Sequence, residues 1–312
     1  MPTLSLVIPV YGNEGSIPDL IKAVTWIDAQ LGGELEVVFV VDGSPDRSYA
    51  LLREQLPESG LRTQLISLSR NFGAFSAIRV GLERSKGSRI AVMAADLQEP
   101  PELVLRFNQE LAKGDIDVAL GLRESRSDPL SSRIASNIFW AIYRKFVMRD
   151  IPKGGVDIFA LTAEFRDRLM QLGEANSSLL SQLFWLGGRR SFVGYQRRAR
   201  EHGKSAWTLR KKFKYLSDSI FAFTDLPVRM LIALGIVALV AAVLLSITII
   251  AAKLSGMVEV PGYAGIMIAV LFFGALNALG LGVVGTYAWR AFENTKARPL
   301  AIVQSAESFN EK

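Results

Sequence analysis

The sequence predicts a doubly wound α/β domain, then amphipathic interfacial helices and a two-helix transmembrane hairpin. Short apolar runs alternate with helix-length stretches over roughly the first 120 residues, as expected of strand–helix units. Two long stretches without charge occupy the last third. Half of the 312 residues are hydrophobic, yet the chain carries 36 Lys and Arg against 30 Asp and Glu. That mixture is expected where a charged soluble part and an apolar membrane part share one chain.

The strands are expected at "LSLVIP" (4–9), "EVVFVVD" (36–42), "TQLISL" (63–68), "RIAVMAA" (89–95) and "DVALG" (117–121). Their near-continuous apolar character fits strands covered on both faces, as in a parallel sheet. Segments 17–31, 46–56, 73–84 and 101–113 have helical length and composition. Ligands of such a sheet sit beyond the strands' carboxyl ends. Those ends are "PVYGNEGS", "DGSPDRS", "SRNFGA" and "DLQEPPE", which parallel strands gather on one rim.

Next, "RIASNIFWAIYRKF" (133–146) spaces Ile134, Ile138, Ile142 and Phe146 along a helical stripe, with Trp140 and Tyr143 suited to a membrane interface. In "WTLRKKFKYLSDSIFAFTDL" (207–226), Leu209, Phe213, Leu216, Ile220 and Phe223 form a second stripe, with Lys211, Lys212, Lys214 and Asp218 off it. This helix either lies among lipid headgroups or packs on the domain.

Met230 to Ala252 carries no charge and spans roughly 35 Å as a helix, enough to cross a bilayer core. A second uncharged stretch runs from Val260 to Trp289. Basic residues (Arg210, Lys211, Lys212, Lys214 and Arg229; then Arg290, Lys296 and Arg298) flank the pair, so both ends and the α/β domain are expected on the cytoplasmic side of the cell membrane. Gly274, Ala278 and Gly282 recur every fourth residue, which suits close helix approach and a homo-oligomer. The expected division is 1–206 for the α/β domain and 207–228 for the interfacial helix. The transmembrane pair takes 229–290 (about 230–252 and 262–289), and 291–312 is a polar, weakly ordered cytoplasmic tail. The N-terminus does not read as a signal peptide.

Composition narrows the chemistry. There is no cysteine and the only histidine is His202, which argues against thiolate chemistry, a histidine triad and a multi-histidine metal site. No nucleic-acid partner is expected. Carboxylates, amides, Arg, Lys and a hard cation remain. In "MAADLQEPPE" (93–102), residues two apart share a side if the segment is extended, so Asp96 and Gln98 are expected to offer oxygens to one Mg2+ or Mn2+.

Taken in order, "PVYGNE", "DGSPD", "SRNFG" and "ADLQEPPE", with "GGVDIFAL" (154–161) and "RAREHGKSAWTL" (198–209), resemble the family-two glycosyltransferases. The likeness is to the dolichol-phosphate-mannose-synthase-like branch and covers roughly residues 4 to 226. It implies a GT-A fold and transfer of a hexose, with inversion, from a nucleotide sugar to a polyprenyl phosphate. Pro9, Tyr11, Glu14, Asp42, Ser44, Asp46 and Asp96 match nucleotide-side positions, Asp157 matches the proposed catalytic Asp, and Asp96 is a catalytic candidate as well. Arg70 and Asn71 either touch the nucleotide or cap the following helix. Two like-charged substrates need fixed cations between them, which points to Arg123, Arg133, Arg200 and Lys204, with Ser205 adding a hydrogen bond.

The chain departs from the branch in having Ala94 where relatives often show an acid, Val41 before Asp42, and Ala206 in "KSAW". Metal binding is therefore expected to be weak until a nucleotide diphosphate adds oxygens. The paired apolar helices fit the bacterial members, which implies undecaprenyl phosphate as acceptor and UDP-glucose as donor. GDP-mannose as donor, and a non-catalytic nucleotide-binding membrane scaffold, stand as alternatives.

Overall fold

The computed structural model describes residues 2–125, 139–152, 156, 158–198, 209–255 and 263–310. They fall into two compact units, Met1–Tyr215 with Pro299–Lys312, and Leu216–Arg298.

The first unit is built on one sheet of strands β1 (Leu4–Val10), β2 (Leu35–Val41), β3 (Arg62–Leu68), β4 (Arg89–Val92), β5 (Val118–Ser125), β6 (Phe159–Thr162), β7 (Arg190–Gln196) and β8 (Val303–Phe309). Their order is β7-β5-β6-β4-β1-β2-β3-β8. Helices α1 (Ile17–Gln30), α2 (Ser48–Gln55) and α3 (Ala74–Arg84) connect the first four strands, and α4 (Glu102–Ala112) follows β4. Then come α5 (139–146), α6 (Ala163–Met170) and α7 (Leu179–Trp185).

The apolar runs become central strands because both faces are covered: every residue of β2 is buried. On one face α3 presses so close that a Cβ on Gly81 would lie 2.3 Å from a Val7 methyl. The strand order reverses between β1 and β4, the position where α/β sheets hold ligands. Pairing of β1 with β4 stops at Val7↔Val92, while pairing with β2 continues to Val10↔Val41. Pro9 lies beyond that stop and has no N–H to donate, so nothing on its nitrogen carries the ladder further.

Four expectations are corrected. Strand β4 ends at Val92, not residue 95. The sheet is mixed: β6 runs antiparallel to both β4 and β5 and separates them. Its four residues, "FALT", are too short to stand out by periodicity. The tail after Pro299 is not weakly ordered; β8 pairs antiparallel with β3 and covers that sheet edge. Polar residues at alternate exposed positions gave it the look of a tail, whereas edge strands are often polar. Finally, Tyr143 is not an interfacial anchor. It is fully buried, stacked on Tyr215 (ring centroids 5.9 Å apart, planes 13°), and its hydroxyl hydrogen-bonds Ser181. Ser178 Oγ donates to the Tyr215 hydroxyl at 2.9 Å. Burial pushes the Tyr215 phenol well above its ordinary pKa. Tyr215 belongs to helix α8 (Leu209–Phe223) and packs with the first unit.

The second unit contains the rest of α8 with helices α9 (Leu226–Leu254) and α10 (Tyr263–Thr295). Arg290 Nη2 pairs with Asp218 Oδ1 at 2.6 Å, its guanidinium lies 5.2 Å from the Phe221 ring centroid, and Phe221 meets Tyr287 edge-on. Leu226–Ala252 and Phe272–Thr295, of 27 and 24 residues, are long and apolar enough to cross a membrane. Only 6% and 0% of their most apolar windows are buried. Helices of a soluble core would be mostly buried. A Cβ added to Gly280 would lie 3.6 Å from a Leu231 methyl, while one added to Gly274 or Gly282 would meet nothing within 4 Å.

Candidate active site at the carboxyl rim of the sheet

The loops after β1 and β2 are welded to each other by their own expected ligand-binding residues. The Gly12 N–H donates to Ser44 Oγ at 2.8 Å, the Asn13 N–H to Ser48 Oγ at 3.1 Å, and the Glu14 N–H to Asp46 Oδ2 at 2.9 Å. In return the Arg47 N–H donates to Glu14 Oε2 at 3.0 Å. Ser44 also donates to Asp46 Oδ1 at 2.6 Å. Burial pushes the Asp46 carboxyl up, but hydrogen bonds from the Ser44 and Ser48 side chains and the Glu14 and Ser48 backbone outweigh it, so its pKa is lowered. Asp46 is the hub of this weld.

Asp42 joins the third loop. Only 2% exposed, it accepts the Phe72 N–H at 2.7 Å on one oxygen and the Gly73 N–H at 2.8 Å on the other. Gly73 caps α3 with no side chain, so the Asp42 carboxylate serves that helix end. The approach is so close that Gly43, at φ 57°, would place a Cβ 2.4 Å from the Arg70 carbonyl carbon. Asn71 and Arg70 are exposed, and the Arg70 guanidinium lies 4.0 Å from the Phe72 ring centroid. Tyr11 is 43% exposed.

The fourth loop is tied in by Ser16, whose hydroxyl donates at 3.0 Å to the carbonyls of Asn13 and of Ala95, the residue before Asp96. The rim loops that carry Glu14, Asp42 and Asp96 are therefore joined by hydrogen bonds. The extended geometry expected for 94–98 is not found. Residues 95 and 96 form a turn and Leu97 has φ 53°, a conformation that costs a non-glycine residue about 1–2 kcal/mol. Alternation fails across such a turn. Asp96 Oδ1 accepts the Gln98 N–H at 3.3 Å, while Gln98 Oε1 accepts from Arg197 Nη2 at 2.6 Å. Gln98 Oε1 thus has an arginine donor in this structure, and Asp96 and Gln98 share one turn.

A cleft of about 390 Å³ opens between the exits of β2 and β3. Gly43, Ser44, Tyr49, Ser69, Arg70 and Ser305 are among its walls. Ser305 comes from β8, and Tyr49 bonds both it, at 3.1 Å, and Glu307, at 2.7 Å. Sequence reasoning missed these two residues, because only the pairing of β8 with β3 brings them to the rim. Arg123 lies in β5 opposite Tyr195. Asp157, Arg133, Arg200, Lys204 and Ser205 lie outside the described residues.

Among the described residues no three of His, Cys, Asp and Glu cluster as a metal site. The donor set present, one half-buried carboxylate at a turn, fits a hard divalent cation that takes its other oxygens from phosphates and water.

Comparison with known proteins supplies the context. The sequence model described as glycosyl transferase family 2 matches residues 5–168. An uncharacterized glycosyltransferase of Synechocystis is 31% identical over 302 residues, 96% of this chain and 94% of that protein. The bactoprenol glucosyl transferase of Shigella phage SfX is 28% identical over 303 residues, 97% of this chain and 99% of its own. The undecaprenyl-phosphate 4-deoxy-4-formamido-L-arabinose transferase of Edwardsiella ictaluri is 28% identical over 313 residues, 99% of this chain and 95% of its own.

Proposed function

This chain belongs to glycosyl transferase family 2 and is a GT-A enzyme; from that premise we propose that it moves a hexose from a nucleotide sugar, UDP-glucose, to undecaprenyl phosphate at the cytoplasmic face of the cell membrane. The observation that carries this reading is the pairing, in one chain, of the rim cleft with two helices whose apolar surfaces lie open. Relatives named for bactoprenol and undecaprenyl phosphate align over nearly the whole chain, helices included. An acceptor with a polyprenyl tail is met where such helices reside.

In this reading the nucleotide lies along the welded loops, with Tyr11 and Arg70 offering exposed ring and guanidinium faces and Ser44 and Tyr49 lining the cleft. Pro9, Asp42 and Asn71 shape that cradle from beneath and beside. Asp96 would hold Mg2+ or Mn2+, which would supply positive charge for the leaving nucleotide. An acceptor phosphate oxygen bonds to the anomeric carbon as the bond from that carbon to the donor diphosphate breaks, so the configuration inverts and the nucleoside diphosphate departs with the electron pair. The acceptor's second pKa is about 6, by analogy with phosphoserine, so it scarcely needs a base at neutral pH. Asp157 then orients the acceptor side, and Arg123, Arg133, Arg200, Lys204 and Ser205 grip its phosphate.

The test uses full-length protein in detergent with radiolabelled UDP-glucose and a short polyprenyl phosphate. Metal-dependent, lipid-soluble label is expected. Nucleotide binding without transfer from any of several nucleotide sugars, GDP-mannose included, would turn the reading to a scaffold. Titrating Mn2+ should give tighter binding with UDP present than without.

A further inference from the structure

We propose that strand β8 gives the donor nucleotide a hydrogen-bond acceptor, Ser305 Oγ, which receives a donor group of the nucleoside, either a base N–H or the ribose 2′-hydroxyl. The inference rests on the reading that the rim cleft holds a nucleotide.

Tyr49 and Arg53 on α2 meet Ser305 and Glu307 on β8. The hydrogen bond from Tyr49, then that from Arg53, holds the Glu307 carboxyl below its ordinary pKa, so at neutral pH it is ionised and only accepts. Tyr49 has one hydroxyl hydrogen, which goes to Glu307 Oε1 at 2.7 Å. The 3.1 Å contact between the Tyr49 and Ser305 hydroxyls therefore takes its hydrogen from Ser305. Arg53 Nε donates to the other carboxylate oxygen at 3.0 Å. Every hydrogen in this chain runs toward Glu307. A lone serine turns its hydroxyl to suit a donor or an acceptor, but this one is left with lone pairs alone.

Ser305 is half-buried and lines the cleft with Ser44, Ser69 and Arg70. Ser44 is poled in the same way: its hydrogen goes to Asp46 Oδ1, and its oxygen already accepts the Gly12 N–H. Arg70 can only donate. A phosphate is a poor match for Ser305, because its oxygens accept and the serine has no hydrogen to offer them. A nucleoside matches better. Uracil and guanine set an N–H beside a carbonyl, which suits an oxygen acceptor and a guanidinium on one cleft, and the ribose 2′-hydroxyl has a hydrogen to give. Cytosine carries no hydrogen at the equivalent ring nitrogen. Ser305 is therefore a specificity residue whose polarity is set by Tyr49, and Tyr49 and Glu307 are positioning residues.

The experiment measures, by calorimetry on full-length protein in detergent with Mn2+, the affinities of UDP, 2′-deoxy-UDP and CDP. Wild type is compared with Ser305→Ala, Ser305→Thr and Tyr49→Phe. Ser305→Ala is expected to weaken UDP binding roughly fivefold, as loss of one neutral hydrogen bond does. Ser305→Thr keeps the hydroxyl and should stay within about twofold of wild type. Tyr49→Phe leaves the serine in place but frees its hydrogen, so Ser305 Oγ then donates as readily as it accepts, and UDP should lose less than in Ser305→Ala. Where the base supplies the donor, CDP gains affinity in Tyr49→Phe. Where the ribose supplies it, CDP does not gain, and Ser305→Ala binds 2′-deoxy-UDP as wild type does. Unchanged UDP affinity in Ser305→Ala would overturn the proposal. So would an equal loss for all three nucleotides, the mark of a disturbed strand rather than a lost acceptor. Wild type that binds UDP but transfers no sugar fails the functional reading, and these affinities still decide the role of Ser305; wild type that binds no UDP removes both.

Discussion

Strand β2 and helix α9 are both almost wholly apolar, yet their burial is opposite. Each residue of β2 is inside the protein, whereas only 6% of the apolar window in α9 is. The difference lies in what covers them. Helices on both faces enclose the strand, so its apolar surface stabilises the fold directly. The helix has no protein cover on most of its surface, and contiguous apolar surface of that extent is compatible with membrane association.

That contrast breaks first at Phe39 and Leu239. Phe39→Ala, at a fully buried ring, should cost about 3–5 kcal/mol in urea or thermal unfolding. Leu239→Ala, on a side chain 63% exposed, should leave detergent-solubilised stability within about 0.5 kcal/mol. Equal losses would mean that α9 is packed in a protein core.

The next test lies where the same buried sheet meets the rim. Gly43→Ala forces a Cβ into the Arg70–Asn71 backbone at a positive φ. A cost of about 2–3 kcal/mol follows from strain together with overpacking. UDP affinity measured by calorimetry should fall with it, while far-ultraviolet circular dichroism holds.

A smaller effect separates the welded rim from the helices by pH. Asp46 has a lowered pKa, so its contribution is fully present above the unfolded value of about 3.9 and is lost as pH falls through the folded value. Asp46→Asn should flatten the fall in Tm on acidification below about pH 4 and leave extraction from membranes unchanged. An equally steep fall in the variant would remove Asp46 from its place as hub.

The smallest effect concerns β8. Hydrogen bonding from Tyr49, then Arg53, holds the Glu307 carboxyl below its ordinary pKa, but Arg53 is 63% exposed and its ion pair is screened. Glu307→Gln should cost no more than about 1 kcal/mol, read as a small shift in the unfolding midpoint. A larger loss would show β8 to be a principal support of the cleft.

Much of the first sheet was legible in residue order. Apolar runs broken by "PVYGNE", "DGSPD" and "SRNFG" mark strands, and their polar ends mark the rim, because a parallel strand pattern and a turn both leave local signatures. Strand β6 was not legible. Four residues carry too little period, and antiparallel insertion depends on partners far along the chain. Strand β8 was hidden for a related reason: its partner, β3, lies before the two long apolar helices. At the site, residue types were readable but their loads were not. Asp42, Glu14 and Ser44 read as nucleotide-side groups, and only the structure shows that they also hold loops together.

By itself the sequence determined the alternation of strands and helices, the two apolar spans and the supply of carboxylates and cations without thiols. These follow from composition and spacing over a few residues. Only tertiary structure decided which oxygens are already engaged, that a distant strand walls the cleft, and that Gln98 Oε1 accepts from Arg197. Those outcomes depend on which groups non-local pairing brings within hydrogen-bond range, and no short stretch of sequence encodes that distance.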